Sequence, residues 1–393
     1  MNRPTHLNSN LMLAALVFFI IAFFTLCNTS YAALVPKPPA VNASSYILID
    51  ANSGMTIVEE NADLVLPPAS LTKIMTSYIA EYEIEQGNVS KEDLVPISVK
   101  AWRKGGSKMY IQEGTRVKLI DLLRGIIVQS GNDASIAVAE FIAGSEESFA
   151  DLMNQHAKRL GMKNTHFVNA TGWPAETHRT TARDLAILSR ALINDFPQHY
   201  SIYSEKSFTY NDITQPNRNT LLGANNMVDG IKTGHTEEAG YCLVASGQDD
   251  QGMRLISVVT GTSSTKARSR ESQKLLTYGF RFFDSVEVAP ANTPLQSPKV
   301  WKGSVSQVNI GIAKPLQVTI PRGQAQTLKL NYELPAILSA PITQGQQLGQ
   351  LKVILEDKTI ASTPLIAQNA VKPAGFFVRV WHSIMLFFKG LFG

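Results

Sequence analysis

Three short stretches carry residues able to make and break an acyl bond. In "LPPASLTKIM", Ser70 precedes Lys73 by three positions. The apolar residues Leu71, Ile74, Met75, Tyr78, Ile79 and Tyr82 recur at helical spacing; Pro67 and Pro68 fix the entrance and Gly87 supplies a stop. Ser70 is therefore expected on the first helical turn, with Lys73 on the same face. A serine hydroxyl is a weak nucleophile until a base takes its proton, and lysine can be that base only as a free amine. Alone, the pattern reads as a helix cap beside a solvated lysine. "QSGNDAS" then places Ser130, Gly131 and Asn132 in a break between two helical patterns, and "DGIKTGHT" places Lys232, Thr233 and Gly234 on a predicted strand.

The elements that must position these residues follow from period and punctuation. Two apolar runs around Asn52-Ser53-Gly54 read as a hairpin. A block of helices follows: "LIDLLRGIIVQ", "DASIAVAEFIAG" stopping at Gly144, "SEESFADLMNQHAKRLG" from Ser145 to Gly161, and "TARDLAILSRALIND". The last opens on a capping box of Thr181 and Asp184. "VDGIKTG", "GYCLVASGQ" and "MRLISVVTGT" read as three strands, closed by the helix "RESQKLLTYGFRFF". The fold class is α/β (α+β), a mostly antiparallel sheet flanked by helices over 45–286. Past Pro290 the alternation in "LQVTI", "TLKLNYEL" and "QLGQLKVIL" predicts a small all-β domain over 290–368.

The two ends of the chain differ from its middle. Arg3 and His6, an apolar run from Leu11 to Leu26 and Ser30-Tyr31-Ala32 form a secretory signal peptide, 1–32. The run is short for an uncleaved anchor, the competing reading. A Pro-rich linker spans 33–44. Residues 371–393 read as an amphipathic helix for a membrane interface. Phe376, Phe377, Val380, Trp381, Ile384, Phe387, Phe388 and Leu391 lie on one face; Arg379, His382, Ser383 and Lys389 on the other, with Leu386 out of pattern. The net charge of +4 is spread along 393 residues without a basic stripe, which sets nucleic acid aside. Cys27 falls in the removed segment. Cys242 is left alone, without a disulfide, and reads as a small buried hydrophobe. His156, His166 and His178 have no metal-like spacing, so no metal is expected.

Ser-x-x-Lys, Ser-x-Asn and Lys-Thr-Gly occur together, in this order, in penicillin-binding proteins and class A β-lactamases. With "LLRGIIVQSGNDA", "GMKNTHFVN", "NRNTLLG", "VDGIKTGHTEEAGYCLVAS" and "TIPRG", the chain resembles the D-alanyl-D-alanine carboxypeptidases among the low-molecular-mass penicillin-binding proteins along nearly all its length. The β-domain and the tail are absent from β-lactamases. The resemblance implies a β-lactamase/transpeptidase-like domain and a serine peptidase without cofactor. Its substrate would be the terminal D-alanine of peptidoglycan stem peptides, with β-lactams as covalent inhibitors. It also implies a role in cell-wall biogenesis and cell shape, at the periplasmic face of the inner membrane, attached through 371–393.

Roles follow residue by residue. Ser70 would be the nucleophile and Lys73 its base, its pKa lowered by partial burial and by Lys232. The helix N-terminus places the Ser70 backbone N–H beside the developing oxyanion; the resemblance adds the backbone N–H of His235. It further implies that Ser130 relays a proton to the leaving nitrogen, that Asn132 holds the substrate amide, and that Lys232 and Thr233 bind the terminal carboxylate. Gly234 would let the strand backbone approach the ligand. An arginine assisting carboxylate recognition falls on Arg268, with Arg270 close by. Arg218 is a second matching position that reads equally as a surface arginine. Lys73 with Ser130 is the candidate for activating the deacylating water. Between Ser130 and Lys232 no Glu is followed four residues later by Asn, the pattern of class A β-lactamases. That alternative is therefore disfavoured, as is a non-catalytic scaffold, because every motif residue is present; an endopeptidase remains a neighbouring reading.

Overall fold

The computed structural model describes residues 35–392, and the expected signal peptide lies outside them. The hairpin forms as β1 (Ser45–Asp50) and β2 (Thr56–Glu60), with Gly54 at φ +78° in the turn. β3 (Val228–Thr236), β4 (Gly240–Gln248) and β5 (Arg254–Thr262) complete an antiparallel sheet of order β2-β1-β5-β4-β3. The first strand thus pairs with the late β5, Ile47 opposite Val258, and β3, which bears Lys-Thr-Gly, is an edge. Alternation along the strands serves two cores. Ile47, Ile49, Ile256 and Val258 face the helical block. Leu48 and Leu255 face α6 (Thr265–Phe282) on the other side, where Gly279 leaves room for both side chains.

The helical block holds α1 (Lys73–Glu85), α2 (Leu119–Gln129), α3 (Asn132–Ala143), α4 (Glu146–Leu160) and α5 (Ala182–Asp195). Their stops are chemical. Gly87, Gly144 and Gly161 take positive φ, and the N–H groups of Gln86, Gly87 and Asn88 turn back onto the last carbonyls of α1. α5 departs from expectation. Thr181 Oγ1 caps the Asp184 N–H at 3.1 Å, but the Asp184 carboxylate accepts instead from the Asn164 N–H (2.8 Å) and Thr165 Oγ1 (2.7 Å). The capping box is half made because a tertiary contact takes its acid.

β6 (Phe283–Ala289) follows α6 directly and pairs with β7 (Leu316–Pro321). β8 (Lys329–Glu333), β9 (Gln347–Leu355) and β10 (Lys358–Ala367) form a second sheet with Ile310–Gly311. Val308, Ile310, Ile312, Leu351 and Leu365 fill its core. Val371, expected as the first tail residue, is buried in that core, its N–H and C=O bonded to Ile342. Side chains at Thr319 and Arg322 tie the β-domain to the sheet domain. Buried Thr319 Oγ1 donates to Asp50 Oδ2 at 2.7 Å, and Arg322, of "TIPRG", bonds Asp284 (3.0 Å) and the Phe280 carbonyl (2.7 Å).

The tail helix is α7 (Phe376–Phe392), shorter than the expected segment. Its polar side chain His382 turns inward: Nδ1 accepts the Lys302 N–H at 2.8 Å and the ring meets Trp301 edge-on. Leu386, one turn on, is half-buried, which accounts for the residue that broke the wheel. The aromatic face looks outward, with Phe377 85% exposed. Among the described residues no helix is long and apolar enough to cross a membrane.

Candidate active site

Ser70 does not sit on an α-helix. Pro68 leads into a 3₁₀ turn, Ala69–Thr72, and Lys73 opens α1. Ala69 takes φ +47°, a conformation costly for a side-chain-bearing residue. The Asn169–Trp173 loop presses on it from outside: a Cβ at Gly172 would strike the Ala69 carbonyl. One Asx clamp fixes that loop, Asn169 Oδ1 accepting from the N–H groups of Thr171 (3.1 Å), Gly172 (2.8 Å) and Trp173 (3.0 Å).

Lys73 has no exposed surface. Its Nζ lies 3.1 Å from Ser70 Oγ, 2.8 Å from Asn132 Oδ1 and 2.5 Å from the Thr171 carbonyl. Burial, then the Arg218 guanidinium, lower its pKa to about 7, against an opposing pull from Asp133. Two of its three neighbours can only accept. A neutral amine has two N–H donors and one lone pair, so donating to Asn132 and Thr171 leaves the lone pair for the Ser70 hydroxyl. Lys232 was expected to supply the push on Lys73. The lowering on Lys73 comes first from burial and then from Arg218, while the Lys73 charge acts on Lys232.

Ser130 follows α2 at φ +62°, its Oγ buried and without a hydrogen-bond partner. Asn132, expected to hold a substrate amide, is engaged already: Oδ1 accepts from Lys73, and Nδ2 donates to the Gly105 carbonyl at 2.8 Å. Asp133 beside it was missed. Its buried carboxylate accepts the N–H groups of Met109, Tyr110 and Ile111, which fixes the loop supplying Ser107 and Gly105.

Edge strand β3 closes the site. A Cβ on Gly234 would lie 3.1 Å from Leu71 Cγ and 3.4 Å from Ala69 Cβ, so this glycine, which also lines the cleft, admits the Ser70 turn. Lys232 is buried, bonded to the Thr233 carbonyl at 3.1 Å; burial and the charges of Lys73, Arg218 and Arg268 push its pKa far down. Arg268 bonds the Gly234 carbonyl at 3.2 Å, whereas Arg270 points away, to Glu271. Exposed Arg218 lines the same cleft. Among the described residues Lys232, Arg268 and Arg218 have no carboxylate partner. His235 is exposed and stacked on Tyr241 at 3.9 Å between centroids. Burial pushes the Cys242 thiol up to about 11, the behaviour of a packed side chain rather than a nucleophile. His156 and His178 stand in separate buried hydrogen-bond networks, each lowered to about 4 by burial.

Ser70 divides two clefts. One, of about 510 Å³, is lined by Ser130, Arg218, Thr233, Gly234, His235 and Arg268 and is basic. The other, of about 310 Å³, is lined by Gly106, Asn132, Gly172, Trp173, His235 and Thr236, among others. A hydroxyl next to a neutral amine, with cations on one side only, suits attack on a carbonyl whose leaving portion carries a carboxylate.

Comparison with known proteins agrees with this geometry. Residues 32–264 match the family model described as D-alanyl-D-alanine carboxypeptidase, and residues 283–373 that described as penicillin-binding protein 5, C-terminal domain. The chain is 45% identical over 379 residues to D-alanyl-D-alanine carboxypeptidase DacC of Escherichia coli, covering 94% of each chain. It is also 45% identical over 368 residues to DacA of the same organism, covering 92% of this chain and 91% of that one. The crystal structure of penicillin-binding protein 5 from Haemophilus influenzae superposes with a TM-score of 0.83 at 42% identity, over 86% of this chain and 99% of that one. The chain belongs to the D-alanyl-D-alanine carboxypeptidase family of penicillin-binding proteins.

Proposed function

We propose that this chain is a serine-type D-alanyl-D-alanine carboxypeptidase, removing the terminal D-alanine from peptidoglycan stem peptides and acylated by β-lactams. The observation that carries it is Lys73: wholly buried, pKa lowered to about 7, and 3.1 Å from Ser70 Oγ. Near neutral pH a large fraction of such lysines are free amines, able to take the Ser70 proton as the oxygen attacks the carbonyl of the penultimate D-alanine. The N–H groups of Ser70 and His235, on elements that Gly234 brings into contact, serve as oxyanion donors, each worth ~3 kcal/mol in the transition state. Ser130, its hydroxyl unpartnered, passes the proton to the leaving nitrogen. The C–N bond breaks, D-alanine departs as a free amino acid, and water later hydrolyses the Ser70 ester.

Carboxylate recognition falls to Lys232, Thr233, Arg268 and Arg218. A buried cation without a counter-charge is expensive, and an arriving carboxylate supplies the missing partner, favouring the charged form of Lys232. Export to the periplasm rests on the signal-like sequence of 1–32. Peripheral attachment to the membrane rests on α7, whose outward aromatic face fits an interfacial helix.

The test is direct. The purified protein should release D-alanine from diacetyl-Lys-D-Ala-D-Ala. After a short penicillin exposure, peptide mass spectrometry should place the adduct on Ser70, and Ser70→Ala should abolish it. An adduct elsewhere, or full labelling of the variant, overturns the assignment.

A further inference from the structure

The cleft on the other side of Ser70 has a wall that this chemistry leaves unused. When the terminal D-alanine lies in the basic cleft, whatever is attached to the nitrogen of the penultimate D-alanine must leave through the second cleft. The acylamino side chain of a penicillin stands in the same relation to its scissile carbonyl, so both ligands meet the same surface. That surface is largely backbone and small polar groups, with Gly106, Gly172 and Thr236 among them. Trp173, Pro174 and His235 are the larger rings in it, and Trp173 is the largest. Its side chain is the one extended apolar plane in the lining, and it stays 46% exposed.

The ring is exposed but not free to move away. Asn169 grips its residue from both sides, accepting the Trp173 N–H at 3.0 Å and donating Nδ2 to its carbonyl at 2.9 Å. Lys104 Nζ stands 4.4 Å from the ring centroid, in cation–π range. The ring also lies against the Gly105–Gly106 loop: a Cβ on Gly106 would come within 3.3 Å of Trp173 Cζ3, and one on Gly105 within 3.9 Å of Cη2. Nor is the loop free to drift from the nucleophile, since its Thr171 carbonyl accepts from Lys73 and Gly172 packs on Ala69. An apolar plane held at a fixed distance from the reacting hydroxyl binds with little ordering cost.

We propose that Trp173 is the specificity-determining residue on the acyl side. Its ring packs against the aliphatic or aromatic portion of the group acylating the penultimate residue, favouring stem peptides with a long side chain there, and arylacetyl penicillins, over unsubstituted ones. For peptides the inference rests on the carboxypeptidase reading above; for β-lactams it stands apart from it. Trp173 touches substrate without taking part in proton transfer, so its loss raises KM more than it lowers kcat.

The experiment compares paired ligands on the full chain. Acylation is measured with benzylpenicillin and with 6-aminopenicillanic acid, which lacks the side chain. Peptide turnover is measured with diacetyl-Lys-D-Ala-D-Ala and acetyl-Gly-D-Ala-D-Ala. In Trp173→Ala the benzylpenicillin to 6-aminopenicillanic acid ratio of acylation constants is expected to fall by about tenfold, and the Lys to Gly peptide ratio similarly, through KM. Trp173→Phe, which keeps a plane and guards against a folding defect in the alanine variant, is expected to restore most of both ratios. Unchanged ratios in both variants, or equal losses for the substituted and unsubstituted ligands, would overturn the proposal. Were the wild-type protein to release no D-alanine from either peptide, the carboxypeptidase reading would fall while the β-lactam ratio still decided the role of Trp173.

Discussion

The Ser70 cleft and the α7 helix invert the usual partition of residues in opposite senses. In the cleft, Lys73, Lys232 and Arg268 are buried without a carboxylate partner; on α7, Phe376, Phe377, Trp381 and Phe387 face outward. Each region asks for something outside the chain: the first an anion, the second an apolar surface. They differ in how tightly the request is specified. Around Lys73 the acceptors are placed by named bonds; Gly172 allows a contact with Ala69 that no larger residue would permit, and Gly234 admits Leu71 and Ala69 closely. Among the described residues, His382 is the α7 side chain that hydrogen-bonds the β-domain. Geometry selects in one place; area selects in the other.

Breaking the geometric side should have the largest effect. Lys73→Met, similar in volume but without an amine, is expected to slow penicillin acylation about 10²–10⁴-fold, measured by stopped-flow with a fluorescent penicillin. In the wild type the same rate should fall with acidity below about pH 7, because Lys73 then holds its proton, and level off above it. Arg218→Ala removes a positive charge that lowers the Lys73 pKa, so the half-maximum should move to higher pH. A profile flat from pH 5 to 9 would show that Lys73 is not the base.

The area side should respond to truncation, not to point changes in the cleft. Removal of 376–393 is expected to lower partition onto anionic vesicles at least about a hundredfold, with acylation at Ser70 retained. The cut belongs after Gly375. A cut at Val371 would also take out a buried residue of the β-domain and confuse anchoring with stability.

The smallest effect sharpens the comparison, because it concerns a buried polar group outside both regions. Glu81, on α1, is fully buried; Oε1 accepts from Tyr203 and Oε2 has no partner. Burial raises its pKa from 4.5 to about 8. Between those values the folded chain holds a proton that the unfolded chain has released, so rising pH favours unfolding through this group. Glu81→Gln mimics the protonated form and should raise Tm by about 1–3 °C at pH 9 and little at pH 5. An equal gain at both would place the cost elsewhere.

Much of the frame was legible because it is local. Gly87, Gly144 and Gly161 end their helices where the pattern said, and the three late strands follow period and turn residues. What escaped depends on partners far along the chain. The 3₁₀ turn and the left-handed Ala69 answer to Gly172; Asp184 answers to Asn164 and Thr165. Arg268 follows from the family pattern, and the direction in which α6 faces β3 separates it from Arg270. Asn169 and Trp173 were overlooked although "NATGWP" carries an Asn–Gly–Pro turn signal, which spacing alone could not attach to the Ser70 pocket.

The bond from Thr319 to Asp50 has a consequence for the molecule as a whole. It fastens a β-domain strand to the end of β1, in the same sheet that carries Lys232, and both side chains are shielded from water. Swivelling between the halves would have to break that shielded bond. On the peripheral attachment proposed for α7, the reactive hydroxyl would be carried at one set altitude. Reach into the polymer mesh then becomes a matter of the protein's own dimensions: strands threaded nearer or farther than that level would escape trimming.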